Sequence, residues 1–225
     1  MSKSEVAFVV PCYNETEVLE QTIKPLLNNG TVILVDDGSN TNLDLSKNTI
    51  LQLHYLRHIS NRGQGAALQT GFDYIIRELP DIKWIVTFDS DGQHSSENAF
   101  QMIRIIQDGY DIVLGSRFLS IKNKVPKIKV FILKFFALTY SIRYGKKFTD
   151  RHFGLRVLSR KFIQNYSLQN SGFGHADEFA DIISKHELDY REHPSSVKYT
   201  TYSKSKGQPM INGINILFDR IFKAR

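Results

Sequence analysis

Short apolar runs recur through the first half of the chain. Each is closed by a polar, turn-forming cluster, and stretches of helical spacing lie between them. Val6-Ala7-Phe8-Val9-Val10 has no polar alternation, as expected of a strand buried on both faces, and Pro11 marks its predicted end. From Glu15 to Leu27 the apolar residues Val18, Leu19, Ile23, Leu26 and Leu27 fall at helical spacing, and Asn28-Asn29-Gly30 stops that helix. Thr31 to Val35 reads as a second strand and Leu53 to Arg57 as a third. Gly65 to Leu79 is helical on Ala67, Leu68, Phe72, Ile75 and Ile76, with Pro80 ending it. Trp84 to Phe88 is a fourth strand, Glu97 to Gln107 a helix and Tyr110 to Leu114 a fifth strand. This alternation predicts an α/β fold with a mostly parallel central sheet flanked by helices.

Beyond Arg117 the rhythm loosens. Val130 to Tyr144 is apolar apart from Lys134 and a few polar positions, and its apolar core is about half a membrane span long. Ile211 to Phe222 has Ile214, Leu217, Phe218, Ile221 and Phe222 on one face, followed by Lys223 and Arg225. Each fits either an amphipathic helix at a membrane surface or a packing helix. No uninterrupted apolar run is long enough to predict a bilayer span.

Composition narrows the classes. The chain has 225 residues, with 29 Lys+Arg against 23 Asp+Glu for a formal charge of +6. Its 41% hydrophobic and 23% charged content excludes wholesale disorder and collagen-like repeats. A lone Cys12 excludes an internal disulfide and a cysteine-based zinc cluster. Met1 to Glu5 runs directly into the first strand without a cationic, apolar leader, so the expectation is a cytoplasmic protein. The charge is concentrated. Between Arg117 and Lys161 basic residues are frequent and Asp150 is the lone acid, which suits a phosphate-bearing ligand, nucleic acid or an anionic membrane surface.

The polar clusters all follow strands, and in open α/β sheets the ligand crevice lies beyond the carboxyl ends of the strands. Pro11-Cys12-Tyr13-Asn14-Glu15, Asp36-Asp37-Gly38-Ser39 and Asp89-Ser90-Asp91 should therefore gather on one edge. Asp89 and Asp91, just after an apolar strand, are hard oxygen donors suited to Mg²⁺ or Mn²⁺, and Gln93 and His94 lie close enough to join them. A carboxylate of the Asp36-Asp37 pair is placed to accept from a ribose hydroxyl or a base N–H, or else to cap a turn. Asn61-Arg62-Gly63-Gln64-Gly65-Ala66-Ala67 opens a helix with two glycines, as a phosphate-approaching loop does, but completes neither a Walker A loop nor GxGxxG.

Five motifs occur in series: Pro11-x-Tyr13-Asn14-Glu15, Val35-Asp36-Asp37-Gly38-Ser39, Asn61-x-Gly63-x-Gly65-Ala66-Ala67, Asp89-x-Asp91-Gly92-Gln93-His94 and Gly115-Ser116-Arg117-Phe118. Together they resemble the family 2 glycosyltransferases, in particular the branch similar to polyprenyl-phosphate mannosyl- and glucosyltransferases, over about Val6 to Pro194. The resemblance implies a Rossmann-like GT-A fold, a UDP- or GDP-sugar donor, a divalent cation (Mg or Mn) and inversion at the anomeric carbon. It implies that Pro11, Tyr13, Glu15 and Asp37 line the base and ribose pocket with Asp36 supporting it, and that Asn61 and Gly65 lie beside the donor. Asp89, Asp91 and Gln93 would meet the metal and diphosphate, and Arg117 a phosphate. Thr149 to Arg156 resembles an acceptor-side segment and would bring Asp150 and Arg156 there. The later acidic motif falls on Glu178, next to Asp177.

The chemistry asks for the same parts. Negative charge builds on the departing diphosphate, and a metal ion and cationic side chains stabilise it. A sugar hydroxyl acceptor needs a carboxylate base, for which Asp177 and Glu178 are the candidates with Asp150 as a third; an ionised lipid phosphate needs none. Tyr202-Ser203-Lys204-Ser205-Lys206-Gly207-Gln208 resembles the ends of transferases that assemble surface polysaccharides, and Lys204 and Lys206 are placed to clamp a diphosphate. The expected layout is one domain over residues 1–200, with a donor half to 118 and an acceptor half after it, and a basic, amphipathic tail over 201–225. The expected partners are a nucleotide-sugar and a polyprenyl-linked or glycan acceptor, with peripheral contact at the inner face of the cytoplasmic membrane. The rivals are a catalytically silent nucleotide-sugar binder, a nucleotidyltransferase lacking its Gly-rich opening and a basic nucleic-acid module; no nucleic-acid motif is present.

Overall fold

The computed structural model describes residues 3–15, 18–119, 146–172 and 174–197. Seven strands form one sheet: β1 (Val6–Cys12), β2 (Thr31–Asp36), β3 (His54–Arg57), β4 (Trp84–Thr87), β5 (Ile112–Ser116), β6 (Arg156–Ser159) and β7 (Tyr190–Pro194). Their order is β3-β2-β1-β4-β6-β5-β7. Six strands run parallel, and β6 alone is antiparallel, wedged between β4 and β5. The helices are α1 (Leu19–Leu27), α2 (Lys47–Ile50), α3 (Gln64–Glu78), α4 (Ser96–Ile106), α5 (Arg160–Asn165) and α6 (His175–Lys185).

Strand alternation divides the core into two layers. Val6, Phe8, Val10 and Cys12 of β1 face one side, where they meet Leu19, Ile23 and Leu26 of α1 and Met102, Ile103 and Ile106 of α4. Ala7 and Val9 face the other, against Leu68, Phe72 and Ile75 of α3 and the apolar faces of α5 and α6. All seven residues of β1 are buried, which is why its sequence shows no alternation.

The sequence places the end of β1 at Pro11, yet the strand continues through it to Cys12. The registers explain this. β4 pairs with β1 only as far as Val9↔Thr87, and Pro11 lies two residues on, so its nitrogen points to the β4 side past the last pair. On the other side Cys12 keeps its bond, accepting from the Asp37 N–H at 2.8 Å. The first helix starts at Leu19 instead of Glu15, because residues 13–15 form a turn in which Asn14 takes a left-handed φ of 52°. β5 runs to Ser116, which draws the Gly115-Ser116 pair into the strand. The expected helices over 130–144 and 211–222, and Lys204 and Lys206, lie outside the described residues. No helix among the described residues is long and apolar enough to cross a membrane.

Gly71 sets how closely α3 approaches the sheet, since a Cβ there would stand 2.4 Å from Val9 Cγ1. Helix propensity alone favours alanine by about 1 kcal/mol. Gly71→Ala is nonetheless expected to destabilise by a net 1–2 kcal/mol, roughly, through overpacking. A lowered midpoint in thermal unfolding is the expected result, and an unchanged or raised one would show that Val9 yields.

Candidate functional site

The loops after β1, β2 and β4 meet at the carboxyl edge of the sheet, joined by turns from the second half of the chain. At β2, Asp36 is buried and ties its own loop to β3: Oδ1 accepts from the Ser39 N–H at 2.8 Å and Oδ2 from the Tyr55 hydroxyl at 2.9 Å. Burial and the Asp36 carboxylate push that hydroxyl up to about 12, so it stays a donor. Asp37 ties down the loop before α3. Its Oδ1 meets the Arg62 N–H at 2.9 Å and His58 Nδ1 at 2.6 Å, and its Oδ2 accepts from the Gly63 N–H at 2.7 Å. His58 in turn reaches Thr70 Oγ1 at 2.9 Å. The β1 loop is latched to the β2 loop twice, by Asn14 N–H to Ser39 Oγ and by Asn40 N–H to Asn14 Oδ1. Tyr13 stands 41% exposed at this edge, while Pro11 and Glu15 are buried. Burial, with Asp36, Glu15 and Asp37 nearby, pushes the Cys12 thiol far up and leaves it inert.

Gly63 and Gly65 act on the protein's own backbone. At Gly65 a Cβ would lie 1.9 Å from the Asn170 carbonyl oxygen, and at Gly63, with φ of 97°, 2.3 Å from that of Ser171. The start of α3 therefore packs against the loop before α6, with Asn61 exposed beside it.

Asp89 and Asp91 follow β4 in contrasting surroundings. Asp89 Oδ1 accepts from Gln64 Nε2 at 2.8 Å and Oδ2 from His94 Nε2 at 2.7 Å. Burial would raise its pKa, but the electrostatic interaction and hydrogen bond with His94, together with Arg156, outweigh burial and hold the carboxyl below its ordinary range. Asp91 accepts from the Gln93 N–H at 3.0 Å and Gln93 Nε2 at 2.7 Å, and burial with the adjacent Asp89 charge raises it. Among the described residues no three His, Cys, Asp or Glu side chains converge as a complete cation cage. Two carboxylates without a third still suit Mg²⁺ or Mn²⁺, which take one or two carboxylates and share the rest of their shell with water and substrate phosphate.

Arg156, at the start of β6, is 2% exposed and lies beneath the edge. Its guanidinium lies 4.6 Å from the centre of the Phe179 ring and donates to the Gly154 and Arg151 carbonyls. Burial lowers it to about 10 against the pull of Asp89, Asp150 and Asp177, so it stays charged at neutral pH. Arg117 grips Asp150 with two bonds, Nε to Oδ2 at 2.7 Å and a terminal NH₂ to Oδ1 at 2.9 Å. Glu192 on β7, which the sequence did not single out, accepts from the Thr149 N–H and hydroxyl. Asp177 Oδ1 is 3.3 Å from Arg151 and 3.6 Å from His152 Nε2. Glu178 caps the loop before α6, accepting from the N–H groups of Gln169 and Asn170 and from the Asn170 side chain. The edge thus gathers Asp89, Asp91, Gln93, Arg117, Asp150, Arg156 and Asp177, and adds Gln64, Arg151, Gly154, His175 and Glu192. Gln64 and Gly154 stand inside motifs the sequence singles out but carry no assigned role there, and Glu192, on an edge strand, has no local motif that would reveal it.

Residues 7–167 match the family model for glycosyl transferase family 2. The chain belongs to glycosyl transferase family 2. It is therefore an enzyme, a glycosyltransferase, and its sheet is that of the GT-A fold. Over 235 aligned positions it is 34% identical to an uncharacterized protein of Methanocaldococcus jannaschii, covering 99% of this chain and 93% of that one. It is 28% identical to the UDP-N-acetylglucosamine–dolichyl-phosphate N-acetylglucosaminyltransferase of Methanococcus voltae, covering 97% and 95%. Among solved structures, glucosyl-3-phosphoglycerate synthase from Mycobacterium tuberculosis, in complex with Mn²⁺, UDP and phosphoglyceric acid, superposes with a TM-score of 0.61 at 15% identity, over 88% of this chain and 72% of that one.

His175 opens α6 in this family 2 site and yields a pH prediction. Its Nδ1 lies 2.8 Å from the Gly172 carbonyl, and burial together with Arg156 lowers its pKa to about 4. In the unfolded chain histidine binds its proton near 6.5, so between pH 6.5 and 4 the unfolded state holds more protons than the folded one. Stability is therefore lost as pH falls through that window. His175→Gln is expected to flatten the fall in melting temperature between pH 6.5 and 4, and an unchanged slope would assign it to other groups.

Proposed function

We propose that this glycosyltransferase moves a sugar from a nucleotide-sugar, with inversion, to a phosphate carried on a polyprenyl lipid. The carboxylate pair Asp89 and Asp91, at the strand edge where the β1 and β2 loops meet, carries the proposal. The M. voltae relative, named for UDP-N-acetylglucosamine as donor and dolichyl phosphate as acceptor, supports both halves of it. Asp89 and Asp91, with Gln93 beside them, would hold a divalent cation, Mg²⁺ or Mn²⁺, which when bound supplies positive charge against the departing diphosphate. Tyr13, Glu15 and Asp37 form the base and ribose end with buried Asp36 supporting it, and Pro11, Asn61 and Gly65 shape its floor. Arg156 adds a buried positive field. Arg117 contacts a phosphate by sharing its guanidinium between Asp150 and the ligand. Lys204 and Lys206 clamp the diphosphate; they stand seven and nine residues after Val197, whose backbone bridges to His94.

The surroundings of the late acidic pair favour the lipid phosphate over a sugar hydroxyl. Glu178 already accepts three bonds from its loop, and Asp177 faces Arg151 and His152. A phosphate oxygen arrives ionised and needs no proton removed. The basic stretch from Arg117 to Lys161 then suits peripheral contact with an anionic membrane face.

Two measurements test this. Calorimetry with UDP-N-acetylglucosamine, UDP-glucose and GDP-mannose, with and without Mn²⁺, is expected to find one nucleotide class bound with cation dependence, weakened at least about tenfold by Asp91→Asn. A folded protein that binds none of them overturns the donor assignment. With a polyprenyl phosphate acceptor, Asp177→Asn and Glu178→Gln are each expected to keep more than about a tenth of wild-type turnover. A loss of about 10²–10⁴-fold in either would mark a general base and a hydroxyl acceptor.

A further inference from the structure

Asp89 is walled in on three sides. Gln64 Nε2 and His94 Nε2 each take one carboxylate oxygen, and Gly154 closes the third side, where a Cβ would stand 2.1 Å from Oδ2. The imidazole is the anomalous wall. Its side chain is 4% exposed and packs edge-on between two rings, with centroids 5.6 Å from Phe88 and 4.8 Å from Phe153. Its Nδ1 is buried with no hydrogen-bond partner among the described residues. A buried, unpaired nitrogen is unfavourable, and a phenyl or aliphatic side chain would fill the same slot without one. What the imidazole adds, and a phenyl ring cannot, is the Nε2–H bond to Asp89.

That bond also closes a loop on itself. Asp89 is joined to His94 five residues later, and Asp91 between them is bonded to Gln93. Gly92 turns the loop with φ of 73°. The backbone of His94 is held from outside by its bridge to Val197. We infer that His94 is a positioning residue of the donor site: it staples the Asp89–His94 loop and fixes the Asp89 carboxylate against Gly154, so that both acids stand ready for cation and diphosphate. The inference rests on the donor site described under Proposed function.

The test compares His94→Phe, His94→Gln, Gln64→Leu and Asp91→Asn with the wild type in the full chain. Thermal melting reports packing, and Mn²⁺ titration by electron paramagnetic resonance, with UDP or GDP present, reports the site. His94→Phe is expected to melt within about 4 °C of wild type. Its half-saturating Mn²⁺ concentration should rise about tenfold to a hundredfold, the usual effect of losing a group that orients a metal ligand. His94→Gln returns an N–H near the position of Nε2 and should recover binding to within about threefold. Gln64→Leu leaves the Phe88–Phe153 slot intact and should weaken Mn²⁺ binding in the same direction, which keeps the test open if His94→Phe does not fold. Wild-type Mn²⁺ binding in both His94→Phe and Gln64→Leu, with Asp91→Asn impaired, would overturn the inference and leave the donor site standing. A wild-type protein that binds no Mn²⁺ with either nucleotide overturns the donor site, and the inference with it.

Discussion

The acidic edge of this sheet depends on giving each carboxylate a cationic or hydrogen-bonding partner: His94 meets Asp89, Arg117 grips Asp150, Arg151 meets Asp177, and Arg156 lies buried below. Asp89, Asp150 and Asp177 arrive from separate parts of the chain, and all three act electrostatically on the guanidinium of Arg156, sealed beneath them over the Phe179 ring. At Asp89 the interactions with His94 and Arg156 outweigh burial and hold the carboxyl below its ordinary range. Arg156 reaches this position because β6 runs against the direction of its neighbours. Its first residue therefore lies where β4 ends, and Thr87 fixes the register there, its hydroxyl donating to the Gly154 carbonyl at 2.6 Å and accepting from the Arg156 N–H at 3.2 Å. The same reversal brings Gly154 against Asp89.

Around that charge the site is assembled from loops that satisfy one another. Asp36, Asp37, Asn14 and Glu178 bond mainly to backbone N–H groups of neighbouring turns, so polar side chains do the work that ladders do inside the sheet. Such loops hold their dipoles in place before a ligand binds, which is the condition for stabilising charge that develops during glycosyl transfer. Close contacts at Gly65 and Gly154 serve the same end: no side chain intervenes between the elements they join.

The first half of the chain was largely legible in advance. Apart from the edge strand β3, its strands are buried on both faces, and its helices have one apolar face. The polar clusters after β1, β2 and β4 were expected on one edge and are found there. The second half gave less away. β6 has four residues, and β7, Tyr190-Arg191-Glu192-His193-Pro194, is polar because it forms the edge of the sheet, so neither shows the periodicity of a buried strand. Asp177 and Glu178 stood out as an acidic pair, and α6 indeed begins two residues before them, but their partners, Arg151 and the 169–170 loop, were not predictable from spacing.

Local pattern thus carried the α/β class, the family and the identity of the acidic motifs, since each depends on residues close in the chain. The antiparallel insertion of β6, the sealing of Arg156 and the fitting of His94 between Phe88 and Phe153 depend on contacts between residues far apart in the chain. So do the partners of each carboxylate: Asp89 meets Gln64 from α3 and Gly154 from the turn before β6, a pairing that exists only once the sheet has brought those segments together. A carboxylate's type is written in the chain, whereas its charge state and orientation are set by neighbours that only folding supplies.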